Sequence, residues 1–204
     1  LIDLMKTRRT VQSYSTEEVP LQVIREAIEV AAYAPNHRMT FPWRFFLLGP
    51  EGRARFAEVQ VEMKLAKKKS AGLGGGGPSS KSSGGSGPAA LSSEAQEAMK
   101  KKLAEEGTLV IAGIERNSDP DIAKEDYASL AMALQNMSLY LWEKGFGSKW
   151  GSGKLMKHSL VYELIGRSSE QFEVCALFWI GRASGPIPRG LPRPTVDQIF
   201  GVLS

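Results

Sequence analysis

The sequence predicts an α+β fold in which a small sheet is layered against helices, and three observations predict it. Residues 21–32 and 124–144 carry apolar side chains at three-to-four spacing, the pattern of helices that bury one broad face. Residues 43–48, 108–114 and 172–181 form short apolar runs of the length expected for buried strands. The resulting order is helices, strand, helices, strand, helices, strand, which fits mixed α+β layers.

Each element follows from local sequence. Residues 3–9 read as a short helix that runs into a basic turn. Val19-Pro20 then leads into Leu21, Ile24, Ala27, Ile28, Ala31 and Ala32, a stripe facing a core. Pro35 ends this helix, residues 36–42 form a loop, and 43–48 follow as a buried strand. A helix is expected over 51–69. Residues 70–92 are rich in glycine and serine, with four glycines in a row at 74–77; such a stretch buries little apolar surface and reads as a flexible linker or insertion. It lacks the Gly-Lys-Ser/Thr ending of a phosphate loop. A helix resumes over 92–106, before the strand at 108–114. In helix 124–144, Tyr127, Leu130, Ala131, Leu134, Met137, Ser138 and Leu141 share a broad face, and Gly145-Phe146-Gly147 stops it and opens a short extended segment. A helix over 155–165 precedes the strand at 172–181, which is apolar on both faces and therefore expected at the centre of the sheet. The proline-rich tail 186–194 must be extended, and a short helix over 196–202 closes the chain. No internal repeat is visible, so residues 1–204 read as a single domain.

Composition bounds the function. The 204 residues are 42% hydrophobic and 24% charged, enough for one well-filled core. No apolar run reaches the ~18 residues of a membrane helix. Cys175 is the sole cysteine and lies in Val174-Cys175-Ala176-Leu177-Phe178, so it reads as a buried thiol and not a nucleophile. A reducing cytoplasm is the expected compartment. The net charge of +4 suits an anionic ligand. The basic residues do not interleave with aromatics as in a nucleic-acid motif; Lys67-Lys68-Lys69 and Lys100-Lys101-Lys102 fit solvated helix ends. Neither nucleic acid nor membrane is expected as a partner.

Most catalytic chemistries find no support. His37, His158 and Cys175 lack ligand spacing, no Gly-x-Ser-x-Gly elbow occurs, no carboxylate pair stands out, and no Gly-x-Gly-x-x-Gly follows a strand. Three stretches remain. Arg8-Arg9-Thr10-Val11-Gln12 offers guanidinium forks and a hydroxyl, either a phosphate seat or a solvated helix end. Arg189 and Arg193 stand on a proline-stiffened tail, either a low-entropy ligand clasp or a surface strap. Gly151-Ser152-Gly153 either brings backbone N–H groups near a flat ligand or simply turns the chain.

A resemblance separates these alternatives. Arg8-Arg9-Thr10, Val19-Pro20, Ala31-Ala32-Tyr33-Ala34-Pro35-Asn36 and Pro42-Trp43-Arg44-Phe45 resemble the opening of the nitroreductase family of FMN proteins. The likeness continues through Asp126-Tyr127-Ala128-Ser129, Gln135-Asn136, the run from Gly145 to Gly153, Ile180-Gly181 and Arg193-Pro194, covering residues 1–50 and 107–204. It implies a nitroreductase-like fold, a central mixed or antiparallel sheet flanked by helices, in an interlocked homodimer with FMN at the two-fold interface. It implies that Arg8, Arg9, Thr10 and Arg193 hold the phosphate and ribityl side, with Gln12 where the family has a further arginine. Pro35, Asn36, His37, Arg38 and Met39 would line the flavin of the partner subunit, and the backbone of Trp150, Gly151, Ser152 and Gly153 would approach flavin N5. Many members carry asparagine at the Met39 position, and glutamine or glutamate at the Phe41 position, where Phe41 puts an aromatic wall on the substrate pocket. The implied activity is NADH- or NADPH-dependent reduction of a small nitroaromatic or quinone acceptor by ping-pong turns, with flavin carrying the chemistry and no catalytic side chain or metal. A flavin binder without turnover and a reductive dehalogenase are the alternatives.

Overall fold

A computed structural model of the protein describes residues 1–72 and 92–203. The elements run α1 (Ile2–Thr7), α2 (Leu21–Ala31), β1 (Trp43–Leu47), α3 (Pro50–Gly72), α4 (Ser93–Glu105), β2 (Thr108–Glu115), α5 (Pro120–Glu143), β3 (Gly147–Gly151), α6 (Ser159–Ile165) and β4 (Phe172–Gly181). The strands form one sheet in the order β1-β2-β4-β3, and every neighbouring pair is antiparallel. As its two apolar faces require, β4 is central, and β2 is central beside it.

The two faces of the sheet feed two clusters of apolar side chains. Val110, Ala112, Ala176, Phe178 and Ile180 meet α2 and α5 through Ile24, Ala27, Leu130, Ala133, Leu134 and Met137. Leu109, Ile111, Val174, Leu177 and Trp179 meet Phe56 of α3 and Val161 and Ile165 of α6. A register shift between Ala112 and Gly113 sets Ala112 opposite Ala176 but Gly113 opposite Val174. Cys175 is the extra residue, a β-bulge that re-phases the strand so that both ends keep their apolar faces inward. Gly113 admits the bulge: a Cβ there would lie 2.1 Å from the carbonyl oxygen of Glu173.

Several expected boundaries move. The strand expected at 43–48 is an edge strand, with Arg44 and Leu47 exposed and Phe45 and Phe46 half-buried, so it is less buried than its composition suggests. The extended segment after Gly147 is a full fourth strand. The helix expected over 155–165 is two pieces, a 3-10 turn at Lys154–Lys157 and then α6, because His158 turns extended and its Nδ1 accepts from the Leu160 amide as a cap. The closing helix over 196–202 shrinks to a 3-10 turn at Val196–Gln198. α5 starts a turn earlier than its apolar stripe, where Asp119 caps the Asp121 and Ile122 amides and Pro120 takes the first helical position. Of the expected linker over 70–92, residues 70–72 are the last of α3 and 92 caps α4, and the remainder lies outside the described residues. Lys100, Lys101 and Lys102 pair along α4 with Glu97, Glu105 and Glu106.

The segment before α2 is tied to the free edge of β3. Thr10 bridges Ser148, Tyr14 bridges Ala183, and the Val11 amide donates to the Ser148 carbonyl at 3.2 Å. Val11 packs where a Cβ on Gly147 would be, 2.1 Å away, so glycine at 147 lets this segment lie flat on the sheet edge. That contact fixes where Arg8 and Arg9 emerge.

Candidate functional site

The helix–strand layer leaves a groove on the α5 side of the sheet, of about 160 Å³, lined by Arg8, Thr10, Ala131, Leu134, Gln135, Ser138, Ser148, Trp150 and Phe178. Its lining joins the apolar Ala131, Leu134 and Phe178 to the polar side chains of Arg8, Thr10, Gln135, Ser138 and Ser148. α5 supplies one wall at positions 131, 134, 135 and 138, one face of a 3.6-residue repeat. β3 supplies the other through Ser148 and Trp150, whose indole N–H is fixed by donation to the Cys175 carbonyl at 3.0 Å. Tyr127, one turn beyond Ala131, continues the wall with its ring centroid 6.5 Å from that of Trp150.

One end of the groove concentrates positive charge. Burial holds the Arg8 guanidinium below its usual value, and the nearby charges of Arg193 and Arg9 push it the same way. The tail runs against this cluster: a Cβ on Gly190 would sit 2.7 Å from Arg9 Nε. Arg9 is braced by donation to the carbonyls of Lys6 at 2.6 Å and Arg8 at 2.9 Å. Arg8 Nε is buried with no partner. Three guanidiniums gathered with no carboxylate paired to them among the described residues, one with an orphaned buried N–H, suit a multiply charged anion such as a phosphate. Sequence-distant Arg8, Arg9 and Arg193 are thus brought together, with Thr10 beside them. Gln12 is exposed, and Arg189 has no partner among the described residues.

The other expected residues fall in two places. Gly151, Ser152 and Gly153 follow Trp150 at the end of β3, where Gly153 has φ 121°, a conformation that favours glycine. Pro35, Asn36 and His37 do not line the groove. They line a separate pocket of about 370 Å³ with Glu125, Ala128 and Met132, round the side of α5. Met39 and Phe41 are exposed at 70% and 49% and both have positive φ. Phe41 meets Trp43 edge-on at 5.8 Å.

Sequence reasoning assigned no role to the residues of α5 that hold this loop. Asp126, 2% exposed, accepts from Thr40 Oγ1 at 2.5 Å. Ser129 donates to the Pro35 carbonyl at 2.6 Å and accepts from the Trp43 indole at 3.2 Å. Glu125 faces His37 and Arg38. The available signal was the appearance of an aspartate and a serine within the buried face of an otherwise apolar helix.

With the geometry in hand, the sequence can be placed. The model of the nitroreductase family matches residues 5–182. The chain belongs to that family. A Bacillus subtilis (strain 168) relative in the family, named "Putative NAD(P)H nitroreductase YfhC", is 28% identical over 174 residues, 84% of this chain and 79% of that protein. Among solved structures, a nitroreductase-like family protein from Bacillus cereus has a TM-score of 0.75 at 21% identity, covering 99% of this chain and 95% of that one. Iodotyrosine deiodinase bound to FMN and 3-iodo-L-tyrosine has a TM-score of 0.70 at 19% identity, covering 98% and 99%. These two likenesses establish the shared nitroreductase-like fold.

Proposed function

We propose that the protein is an FMN-dependent oxidoreductase that takes electrons from NADH or NADPH and passes them to small nitroaromatic or quinone acceptors in alternating half-reactions. The observation that carries this reading is the cluster of Arg8, Arg9 and Arg193, with the unpartnered buried Nε of Arg8, at one end of the groove between α5 and β3. FMN, when bound, supplies the hydride and electron chemistry. Arg8, Arg9, Thr10 and Arg193 would hold its phosphate; the groove along α5 and β3 would take its ring, with Trp150 at the ring end and the N–H groups of Gly151, Ser152 and Gly153 available to its polar edge. Gln12 would add a neutral hydrogen bond. No side chain has to act as nucleophile.

We read the working unit as a cytoplasmic homodimer with two such sites. The groove of about 160 Å³ is smaller than the roughly 300–1,000 Å³ of pockets that enclose a ligand of this size. Pro35, Asn36, His37, Met39 and Phe41 lie elsewhere on the chain and are available to a second copy. Tyr127 and Met132 of α5, and Leu1, Ile2 and Met5 at the α1 end, are exposed apolar side chains that such an interface would cover. Among the described residues no helix is long and apolar enough to cross a membrane.

The test is the visible spectrum of the protein after loading with FMN and removing the excess, followed by anaerobic NADH or NADPH. Retained flavin that bleaches with either nucleotide is the expected result, with a dimer mass by light scattering. Retained flavin that does not bleach points to a binder without turnover. Loss of all flavin refutes the reading.

A further inference from the structure

The loop between α2 and β1 is strained and is held to α5 by hydrogen bonds to Ser129 and Asp126 and by the contacts of Glu125 with His37 and Arg38. Met39 and Phe41 have φ of 50° and 43°, a region that non-glycine residues adopt only when their surroundings impose it. Ser129 fixes the two ends of the loop through the Pro35 carbonyl and the Trp43 indole. Asp126 fixes its middle by accepting from Thr40 Oγ1 at 2.5 Å. Thr40 is the side-chain partner of Asp126 among the described residues, and no cation pairs with this carboxylate, although it is 2% exposed. Burying a carboxylate against one hydroxyl costs stability, so its value to the protein lies in geometry.

What the clamp presents is specific. Asn36 Oδ1 accepts from the Phe41 amide at 2.9 Å and lies 3.2 Å from Thr40 Oγ1, whose one hydrogen goes to the shorter contact with Asp126, and its main-chain carbonyl accepts from the Met39 amide at 3.2 Å. The Phe41 N–H fixes which end of the Asn36 amide is oxygen, since a flipped amide would set donor against donor. Nδ2 is then the group left over, buried and without a partner. An unsatisfied buried donor beside a pocket is a hydrogen bond waiting for a ligand oxygen.

We infer that Asp126, acting through Thr40, is a positioning residue: it holds the 36–41 loop with Met39 and Phe41 in their left-handed conformation, so that the Asn36 amide and the Phe41 ring are preformed for the acceptor in the groove of a second copy of the chain. This rests on the function proposed above. Preorganisation of this kind lowers the ordering cost of binding.

The experiment compares Thr40→Val, which keeps the shape and removes the hydroxyl, with Thr40→Ser, which keeps the hydroxyl, and with Asp126→Ala, which removes the acceptor and leaves the Thr40–Asn36 contact, in the FMN-loaded protein. Asp126→Ala is expected to match Thr40→Val, and wild-type behaviour in it overturns the role of Asp126. Amide exchange of Met39 and Phe41 is read by NMR, and kcat and KM are measured for a nitrobenzene acceptor. Thr40→Val is expected to lose protection at both amides and to raise acceptor KM about tenfold, as when the competent loop falls to about a tenth of the population, with kcat little changed. Thr40→Ser restores both. Unchanged protection in Thr40→Val overturns the clamp. Lost protection with unchanged KM overturns the positioning role and leaves a merely structural bond. Wild-type protein that holds no flavin overturns the function itself, and the exchange data then decide the clamp alone.

Discussion

Replacing Arg8 with alanine separates binding from stability. In the unliganded protein this guanidinium is buried enough to be desolvated and is repelled by Arg193 and Arg9. Its Nε has no partner, so removing it takes away little that holds the fold together. In the FMN complex the same group would make charge-assisted bonds to the phosphate. Loss of one such bond costs about 1.5–3 kcal/mol, and each 1.4 kcal/mol is about tenfold in affinity. The dissociation constant for FMN should therefore rise roughly ten- to a hundredfold, while the melting temperature of the unliganded protein holds or rises. Titration of apoprotein with FMN, read by quenching of flavin fluorescence, gives the first quantity, and scanning calorimetry gives the second. Arg8→Lys should fall between, because it restores the charge without the planar fork. Arg8→Ala protein that binds FMN as tightly as wild type would place the phosphate elsewhere and refute the reasoning from the cluster.

Three further outcomes follow from particular contacts. Gly113→Ala should lower stability by at least about 1–3 kcal/mol, seen as a lower urea midpoint, because its Cβ meets the Glu173 carbonyl oxygen at 2.1 Å and the bulge cannot move without breaking register. Burial, reinforced by the Glu173 charge, pushes the Cys175 thiol up to about 12. An unfolded thiol ionises near pH 8.5, so the stability that depends on a neutral Cys175 is complete below that pH and is lost as pH rises toward about 12. Cys175→Ala should flatten this part of the alkaline unfolding curve, and iodoacetamide should label the wild-type thiol only on unfolding. Phe41→Gln should shift acceptor preference, measured as the ratio of kcat/KM for a nitroarene and a quinone, more than it shifts the melting temperature, since the ring is half exposed. An unchanged ratio would mean that Phe41 does not face the acceptor.

Much of this was legible in order along the chain. The apolar stripes of α2 and α5, the two-sided burial of β4 and the Gly145-Phe146-Gly147 stop are local patterns, because side-chain periodicity and backbone permissiveness act within a few residues. The start of α5 was less legible: Asp119 and Pro120 lie beyond the stripe, and a cap carries no periodic signal. The break at His158 was hidden because the residues on either side of it still carry apolar positions at helical spacing.

The sequence by itself determined the layered α+β class, the type and order of its core elements, the absence of triad or metal-site spacing and, through Arg8-Arg9-Thr10 and its companions, the family. Tertiary structure decided what those residues do together. It brought Arg193 to Arg8 from 185 positions away, a proximity that depends on how the tail crosses the α1 end and on no local rule. It set Pro35, Asn36 and His37 in a different pocket from the arginines, and it showed Asp126 gripping Thr40 from the neighbouring helix. Periodicity reports which face of an element is buried. Which charged groups then meet, and whether a buried donor finds a partner, depends on distances between elements that only the packed chain defines.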